Sequence, residues 1–477
     1  MAQKGGAVAA GHRVAVVGAG PGGYAAAFRA ADHGLEVTLV DPETNPGGVC
    51  LYRGCIPSKA LLHVAQIIRE AKDASGWGVE FAAPLIDVER VRAWKDEVVA
   101  KLTSGLAALG KARNVRHVQG RATFVDAHVL AVEGNGPRRH KIEFDSAIIA
   151  TGSRPAVPEA LTLDSDRMMT STDALALRDV PGSLLVIGGG YIGLELGTVY
   201  AALGSRVTLV EMTDQLLPGV DSDLVRPVAA AVGRAFDAIH LTTGVTRLRE
   251  IADGIAVTIK GGKGEDREIV FDKVLVATGR RPNSSGLGLE NTAVRVADSG
   301  FIAVDAQRRS GEPNVFAIGD VAGQPMLAHK ATHEGTLAAD VIAGRSAVWE
   351  PRAIPAVVFT DPEIAWCGLT ETQARASGTA IEVSRFPWQA SGRAMTLGRA
   401  EGVTKVVHQP ETGRVLGVGI CGHSAGELIA EGVLAIEMGA VVEDLAASIH
   451  PHPTLSETVM EAAEVARGWS VHVKRKR

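Results

Sequence analysis

Two cysteines in the first part of the chain are spaced so that they could form a redox-active pair. Cys50 lies five residues before Cys55, and Pro57 and a segment of helical periodicity follow. Proline suits the first turn of a helix, so Cys55 is predicted near a helix N-terminus, where the dipole lowers a thiol pKa and stabilises the thiolate. With only four cysteines in the chain, a disulfide here is expected to be redox-active rather than structural. The alternative is two buried thiols in a packed loop.

A candidate proton carrier lies near the end of the chain, in the sequence HPHPTLSE. His452 is followed by Glu457 at the start of a predicted helix. Histidine is the side chain best suited to moving a thiol proton near neutral pH, and a nearby carboxylate can fix its tautomer. Alternatively, Thr454 and Glu457 form a helix capping box and His452 is an ordinary loop residue. Spacing alone does not decide between these alternatives, and His450 is the less favoured candidate base.

Two glycine-rich turns could each bind a dinucleotide. The pattern of strand, GxGxxG, helix, strand and acid occurs with Gly18, Gly20, Gly23 and Asp41, and again with Gly188, Gly190, Gly193 and Glu211. Bare glycine backbone lets a pyrophosphate reach the positive end of the helix, and the acid can accept a ribose hydroxyl. A carboxylate at Glu211 would repel a 2′-phosphate, so the second site is expected to prefer NAD over NADP. Two such folds suggest a tightly held flavin dinucleotide and an exchanging nicotinamide, although their order alone does not assign them.

The chain is predicted to be an α/β protein with two Rossmann-like dinucleotide-binding domains, a central domain and a C-terminal α+β domain. Each nucleotide unit is followed by a similar phrase, ATGSRP at 150–155 and ATGRRP at 277–282, which marks a domain exit. Prolines near residue 351 mark the last boundary, and the domain after it is predicted to mix strands such as Val403–His408 with amphipathic helices such as Ala425–Met438. The predicted domains are residues 1–153, 154–281, 282–350 and 351–477.

Composition excludes several classes of protein. A length of 477 residues requires several domains, and a net charge of −5 gives no reason to expect a nucleic-acid partner. No apolar stretch reaches the length of a secretory signal or a membrane span, so membrane insertion is not expected. The few cysteines favour a reducing compartment, and a cytoplasmic location is predicted. No metal site is expected.

The ordered motifs resemble those of the pyridine nucleotide-disulfide oxidoreductases. The similarity spans nearly the whole chain and includes GAGPGG, GGVC, GCIPSKALLH, GGGYIGLELG, ATGRRPN, FAIGDVAGQPMLAHK and HPHPTLSE. Within this family the chain is most similar to members that oxidise a protein-bound dihydrolipoyl arm with NAD⁺. The resemblance implies FAD in the first nucleotide fold and NAD in the second. It also implies a homodimer formed through the last domain, in which the His–Glu pair reaches the active site of the partner subunit.

The resemblance also implies roles for individual redox residues. Cys50 would exchange sulfur with the substrate, and Cys55 would lie beside the flavin and form a charge-transfer thiolate. His452 would be the base, oriented by Glu457. Lys59 and Glu195 would pair near the flavin; the alternative is that both are ordinary helix-surface charges.

Further cofactor contacts follow from the same resemblance. Beyond the glycine turns, the expected FAD contacts are Lys59, Gly120, Thr151, Gly152, Ser153, Asp320, Met326, Leu327, Ala328 and His329, with Asp320 on the ribityl chain. The expected NAD contacts are Glu211, Val245 and Gly279. Val245 could instead be strand core.

The expected partners are a second copy of the chain, the lipoyl domain, and the subunit-binding domain of the acyltransferase component of 2-oxo acid dehydrogenase complexes. Service in a glycine cleavage complex is also consistent with the resemblance. One departure is Tyr52-Arg53 between the cysteines, where relatives usually carry Asn-Val. A cation there could lower the thiol pKa values or attract an acidic partner.

Three alternatives share parts of this pattern. Glutathione reductases usually have basic residues where the phosphate of NADP binds, whereas this chain has Glu211. Mercuric reductases carry a cysteine pair near the C-terminus, and no cysteine follows Cys421 here. A complex subunit that has kept the fold and lost turnover is the alternative from another class.

Overall fold

The structure is a computed structural model, and it describes residues 11–134, 139–261 and 266–474. These residues fall into two units. The first contains the described residues up to Ala60, Glu89–Ala156 and Gly279–Glu350, and the second contains Leu61–Val88, Val157–Thr278 and the described residues from Pro351 onward. In the described part of the chain, no helix combines the length and the apolar character needed to cross a membrane.

The helices in the described residues are α1 Pro21–Asp32, α2 Gly48–Arg53, α3 Cys55–Asp73, α4 Val88–Ala112, α5 Ser171–Ala176, α6 Tyr191–Leu203, α7 Ser222–Ala235, α8 Ala328–Ile342, α9 Glu371–Ser377, α10 Gly392–Thr396, α11 Ala425–Met438, α12 Val442–Ala447 and α13 Glu457–Arg467. The strands of the first half are β1 Arg13–Val17, β2 Glu36–Asp41, β3 Arg116–Gln119, β4 Arg121–Asp126, β5 Val129–Glu133, β6 Arg139–Glu143, β7 Ser146–Ile149, β8 Ser153–Pro155, β9 Met168–Met169, β10 Ser183–Ile187, β11 Arg206–Val210 and β12 Ala238–His240. Those of the second half are β13 Thr243–Ile251, β14 Gly254–Gly261, β15 Arg267–Phe271, β16 Lys273–Val276, β17 Arg280–Pro282, β18 Val315–Ala317, β19 Ala356–Val358, β20 Glu363–Gly368, β21 Glu382–Pro387, β22 Val403–His408 and β23 Val415–Gly422.

The first nucleotide fold is a parallel sheet in the order β18-β7-β1-β2-β3. Val14 and Val16 of β1 pack with helices α1 and α8 on one face, while Ala15 and Val17 pack with the antiparallel strands β4-β5-β6 on the other. Burial of both faces explains why these strands are continuously apolar rather than alternating.

The second nucleotide fold repeats this arrangement. Its parallel sheet has the order β12-β11-β10-β16-β9, and an antiparallel meander, β13-β14-β15, lies between β12 and β16 in the chain, as β4-β5-β6 lies between β3 and β7. The register that pairs Arg13 with Glu36 in the first fold pairs Ser183 with Arg206 in the second. The two Rossmann-like folds predicted from sequence are therefore confirmed.

The two repeated ATG phrases meet in the first unit. They form strands β8 and β17, which pair antiparallel, with Arg280 opposite Pro155 and Pro282 opposite Ser153. The phrases that mark the exits from the two nucleotide folds thus become hydrogen-bonded neighbours.

The last part of the chain is an antiparallel sheet, β19-β20-β23-β22-β21, packed against helices. The predicted strand Val403–His408 and helix Ala425–Met438 are both confirmed. Cys367 and Cys421 are buried here, and burial raises the pKa of Cys367 to about 12.

A buried ion cluster joins α7, α9 and the sheet within the second unit. Asp221, Asp223 and Glu371 lie close enough together to offer oxygen atoms to a metal ion. The ammonium of Lys405 lies among them instead, at 2.7, 2.7 and 2.9 Å. Lys405 is 1% exposed, so these carboxylates compensate a cation that is almost completely removed from water.

Candidate active site

The first glycine-rich turn joins β1 to α1 and has no room for side chains. A Cβ atom on Gly18 would lie 2.4 Å from the carbonyl oxygen of Ala150, and one on Gly23 would lie 1.8 Å from the carbonyl oxygen of Gly18. Helix α1 begins after Gly20, and no side chain in the described residues caps it. Its first turn therefore offers backbone amides at the positive end of the helix dipole, which suits the pyrophosphate of a dinucleotide.

The second turn joins β10 to α6 and has the same construction. A Cβ atom on Gly188 would lie 2.5 Å from the carbonyl oxygen of Ala277, and one on Gly193 would lie 2.0 Å from that of Gly188. Around Gly190, by contrast, no described atom lies within 4 Å of a Cβ position. The turn is closed toward the protein and open above Gly190, so it too fits a dinucleotide.

The acid after each turn holds the turn in shape. Asp41 accepts a hydrogen bond from the Ala19 amide at 2.6 Å, and Glu211 accepts one from the Gly189 amide at 2.7 Å. Glu211 also accepts from the amide and the hydroxyl of Thr213 at 2.8 and 2.9 Å. Burial raises the pKa of Asp41, although the Ala19 amide opposes this. Each predicted ribose-binding acid therefore also orders the backbone of its turn.

The loop that carries the cysteines is built onto the first glycine turn. The Gly47 amide donates to the carbonyl oxygen of Ala19 at 2.8 Å. Gly48 has a φ of +57°, and a Cβ atom there would lie 2.5 Å from the Cα of Gly20. Helix α2, which contains Cys50, therefore starts in direct backbone contact with the turn that would bind the pyrophosphate. This contact places the thiols beside the first nucleotide site.

The two thiols interact with each other and with charged neighbours. Cys50 is half-buried in α2, and Cys55 is the exposed first residue of α3, as the position of Pro57 predicted. A hydrogen bond with Cys55, together with burial, raises the pKa of Cys50, and the charge of Lys59 opposes this rise. Cys50 therefore keeps its proton in the reduced pair, while the dipole of α3 favours a thiolate at Cys55. Burial and the two thiols also raise the pKa of Tyr24 on α1, which places this phenol near the pair.

The unusual residues between the cysteines attach α2 to the loop that follows β2. Arg53 forms an ion pair with Glu43, and the hydroxyl of Tyr52 donates to the carbonyl oxygen of Asn45 at 3.1 Å. The guanidinium of Arg53 also lies 6.0 Å from the centre of the Tyr52 ring. The carboxylate of Glu43 offsets the positive charge that was expected to act on the thiols.

The carboxylate of Asp320 is held by a hydrogen-bond relay that no sequence motif indicated. The Ser153 hydroxyl donates to Oδ2 of Asp320 at 2.5 Å. Arg280 donates from Nε to that hydroxyl at 2.7 Å and from Nη2 to the Ser153 carbonyl oxygen at 2.8 Å. Ser153 is 2% exposed, so this relay lies inside the protein.

The backbone beside Asp320 is held by a buried ion triad. The fully buried Glu334 accepts from the amide of Gly319 at 2.7 Å. It also pairs with Lys330 at 3.0 Å and with Arg308 at 3.1 Å. Two cations thus compensate the buried carboxylate that fixes the turn before Asp320.

The other expected FAD contacts lie in the same unit. Thr151 and Asn283 exchange hydrogen bonds, at 2.7 and 2.9 Å, and Gly152 has a φ of +67° with no described atom within 4 Å of a Cβ position. The Gly120 amide donates to the carbonyl oxygen of Asp41 at 2.9 Å. Met326 and Leu327 precede α8, and Ala328 and His329 begin it. Their contacts with FAD stay predictions.

The remaining residues expected at the cofactor sites have different surroundings. Val245 lies on β13 and packs against the buried cluster between the sheet and the meander, so it has the core contacts considered as its alternative. Glu195 is 3% exposed on α6 and accepts from the Phe359 amide at 3.0 Å, so the surface-charge alternative is wrong for Glu195. Gly279 has a φ of +128°. The NAD contacts and the pairing of Glu195 with Lys59 stay predictions.

The His–Glu pair is formed before α13. Nδ1 of His452 lies 2.9 Å from Oε1 of Glu457, while Oε2 of Glu457 accepts from the Thr454 amide at 2.7 Å. Partial burial opposes ionisation, but the Thr454 amide and His452 outweigh it and lower the pKa of Glu457. The carboxylate therefore accepts from a backbone amide with one oxygen and contacts a histidine with the other.

The neighbouring histidine has no nitrogen left for catalysis. Nδ1 of His450 lies 2.8 Å from the Ser448 carbonyl oxygen, and Nε2 lies 2.9 Å from Glu431. The side chain of His452 is 75% exposed, and its Nε2 has no hydrogen-bond partner among the described residues. Of the two histidines, His452 is the one placed to accept a proton from a partner or substrate.

Comparison with known proteins agrees with this geometry. The model of the pyridine nucleotide-disulphide oxidoreductase family matches residues 12–335, and the model of the dimerisation domain of this family matches residues 354–463. The chain belongs to the pyridine nucleotide-disulphide oxidoreductase family. Its C-terminal sheet and helices are therefore the dimerisation domain of this family.

Similar curated members of the family share one name. The chain is 50% identical to dihydrolipoyl dehydrogenase from Haemophilus influenzae over 96% of this chain and 95% of that protein. It is 47% identical to dihydrolipoyl dehydrogenase from Halobacterium salinarum over 98% of both chains.

Solved structures of the family share the fold at lower identity. LpdA from Mycobacterium tuberculosis matches with a TM-score of 0.88 and 26% identity, covering 95% of this chain and 99% of that chain. The HOCl-induced flavoprotein disulfide reductase RclA from Escherichia coli matches with a TM-score of 0.82 and 28% identity, covering 94% and 98%.

Sequence reasoning missed four residues that shape the site: Tyr24, Gly48, Arg280 and Glu334. Gly48 and Arg280 stand within motifs that were recognised, but their contacts join segments far apart in sequence. Glu334 lies four residues after Lys330, so the i,i+4 spacing of opposite charges on a helix could have indicated that pair.

Proposed function

We propose that this protein is an NAD-dependent dihydrolipoyl dehydrogenase. In this proposal it oxidises protein-bound dihydrolipoamide to lipoamide as a component of 2-oxo acid dehydrogenase or glycine cleavage complexes. The observation that carries the proposal is the interacting Cys50–Cys55 pair at the start of α3, anchored by Gly48 on the first glycine turn. Relatives named for this activity, at 50% and 47% identity over nearly the whole chain, support it.

The cofactors are FAD and NAD. Together they supply two-electron transfer from a dithiol to a soluble carrier. The first turn, with Asp41, Asp320 and the start of α8, would hold FAD, and the second turn, with Glu211, would hold NAD. We keep the four predicted domains as part of this proposal, with FAD assigned to residues 1–153 and NAD to residues 154–281.

The cysteine pair accepts the electrons of the substrate by thiol–disulfide exchange. A substrate thiolate attacks Cys50 of the oxidised pair, the Cys50–Cys55 bond breaks, and Cys55 leaves as a thiolate. The second substrate thiolate then attacks the substrate sulfur bound to Cys50, which closes the lipoamide disulfide and releases Cys50. One dithiol is oxidised and one disulfide is reduced. The raised pKa of Cys50 agrees with this division, because the released Cys50 is protonated while Cys55 remains the thiolate.

His452 would move the protons of the substrate thiols. Its exposed Nε2 would take the proton, while Glu457 at Nδ1 fixes the tautomer that leaves Nε2 free to accept. In this proposal the pair serves the cysteines of the second subunit. The dimerisation domain supports this arrangement, and so do the exposed apolar side chains of Leu434 and Met438 on α11, at 63% and 77%.

Partners and location are proposed on less direct grounds. We expect the lipoyl domain to bring the substrate and the subunit-binding domain of the acyltransferase component to bind the dimer. A cytoplasmic location rests on cysteine usage. A flavoprotein disulfide reductase such as RclA shares the fold, but its identity to this chain is about half that of the named dihydrolipoyl dehydrogenases.

A substrate panel tests the proposal. Purified full-length protein is assayed with dihydrolipoamide and NAD⁺, with NADP⁺ in place of NAD⁺, and with glutathione disulfide and NADPH. We expect rapid NADH formation only in the first reaction, and a strong decrease of this rate in His452→Gln. Reduction of glutathione disulfide with inert dihydrolipoamide would contradict the proposal and favour a reductase of another disulfide.

A further inference from the structure

The relay from Arg280 through Ser153 to Asp320 has a direction imposed by its chemistry. Every polar hydrogen of a guanidinium is a donor, and the group has no acceptor. The Ser153 hydroxyl, 2.7 Å from Nε of Arg280, must therefore accept that bond. Its single proton is left for Oδ2 of Asp320, 2.5 Å away.

This direction determines which atoms of Asp320 can act on a ligand. Oδ2 accepts the hydrogen bond from the Ser153 hydroxyl, whereas no described residue donates to Oδ1. An oxygen that accepts from a ligand must have a free lone pair and a fixed position. The relay fixes one oxygen of the carboxylate and leaves the other free to accept. Ser153, which donates to the fixed oxygen, is buried.

A second contact holds the same turn by its backbone. Glu334 accepts from the Gly319 amide at 2.7 Å, immediately before Asp320. Gly319 itself has a φ of +71°, a conformation that glycine adopts without strain. The side chain and the backbone of this turn are therefore fixed separately.

We propose that Arg280 and Ser153 are positioning residues for FAD: they orient Asp320 so that its free oxygen accepts a hydroxyl of the flavin ribityl chain. The inference rests on the proposed function only in that the first site holds FAD. Arg280 belongs to the phrase that follows the second nucleotide fold, yet its two hydrogen bonds serve the first. In the other copy of the phrase the corresponding position is Ser153, so the relay joins equivalent residues of the two copies.

Flavin retention by the full-length holoenzyme tests this role without turnover. FAD release on dilution is followed by the fluorescence of free flavin in Arg280→Met, Ser153→Ala and the double variant. Loss of a hydrogen bond that involves a charged group predicts release faster or binding weaker by on the order of 10-fold or more in each single variant. Because both residues act through one relay, the double variant should release FAD no faster than the faster-releasing of the two single variants.

Two controls separate positioning from general damage. Arg281→Met removes an exposed arginine from the same strand and should leave FAD release unchanged. The affinity for NAD, measured by titration of the same variants, should also stay unchanged, since the relay contacts only the first site.

Unaltered FAD release in Ser153→Ala would overturn the inference, as would equal losses of FAD and NAD binding or additive effects in the double variant. Should Arg280→Met not fold, Ser153→Ala decides the result, and the dihydrolipoamide assay of wild-type protein tests the proposed function separately.

Discussion

Replacement of Glu457 by glutamine tests how one carboxylate serves two donors. In the structure Oε1 faces Nδ1 of His452 at 2.9 Å, and Oε2 accepts from the Thr454 amide at 2.7 Å. Glutamine has one acceptor oxygen and one NH₂ donor. If the amide oxygen accepts from Thr454, the NH₂ group faces Nδ1 of His452, which can accept only after the imidazole proton has moved to Nε2.

The consequence for activity depends on the histidine tautomer. If the amide donates toward Nδ1, the imidazole proton moves to Nε2, and Nε2 no longer accepts a proton from the substrate. A positioned general base contributes about 10²–10⁴-fold to a rate, so we expect kcat for dihydrolipoamide oxidation to fall on the order of 100-fold. Reduction of an artificial dye by NADH requires no proton transfer from a substrate thiol and should keep its rate. Glu457→Asp, which retains two acceptor oxygens, should lose less than Glu457→Gln.

Stability should respond to pH in the direction set by the lowered pKa of Glu457. A carboxyl whose folded pKa lies below its ordinary value of 4.5 stabilises the fold above that pH. This contribution is lost as the pH falls through the lowered value. The difference in unfolding free energy between wild type and Glu457→Gln should therefore be present at neutral pH and vanish in acid. A kcat of Glu457→Gln equal to that of the wild type would refute the reasoning. Equal losses in the rates of dye reduction and dihydrolipoamide oxidation would also refute it.

Three further outcomes follow from the geometry. Gly193→Ala should lower thermal stability, because its Cβ would lie 2.0 Å from a backbone carbonyl oxygen. Gly190→Ala, with open space above it, should weaken NAD binding and leave the melting temperature unchanged. Calorimetry and NAD titration check both outcomes. Lys405→Met should lose roughly 3–5 kcal/mol of stability in denaturant unfolding, because it leaves the buried carboxylate of Asp221 without its cation, and an unchanged midpoint would contradict this. Arg53→Val should alter the pH dependence of the thiolate charge-transfer absorbance less than Lys59→Met does, because a carboxylate already offsets the charge of Arg53; a larger shift in Arg53→Val would show that this cation acts on the thiols.

The sequence predicted those parts of the site that depend on local pattern. These patterns act within one βαβ unit or one helix turn. They are a glycine that must approach a carbonyl oxygen, an acid at the end of the second strand, and a proline after Cys55. For this reason the two glycine turns, the start of α3 and the strand at Val403 were correctly placed. The His452–Glu457 contact also spans only five residues, and the structure forms it with one carboxylate oxygen while the other accepts from the Thr454 amide. The role of His452 as base stays a prediction.

Contacts between distant segments could not be predicted in the same way. Ser153 and Arg280 are far apart in sequence, and they meet because the two ATG phrases pair as β8 and β17. The surroundings of Lys405 depend on carboxylates from α9 and the start of α7, which no periodicity connects with β22. A surface charge was the alternative for Glu195, but the side chain is buried and its backbone partner comes from the segment near Phe359. In each case the partner is supplied by tertiary packing.

The most direct test of the central claim is NADH formation from dihydrolipoamide and NAD⁺ by the purified full-length protein, compared with Cys50→Ser. We predict rapid NADH formation by the wild type and none above background by the variant, with FAD still bound and dye reduction by NADH retained. NADH formation from dihydrolipoamide by Cys50→Ser would contradict the account, because electrons would then reach NAD⁺ without the Cys50–Cys55 pair.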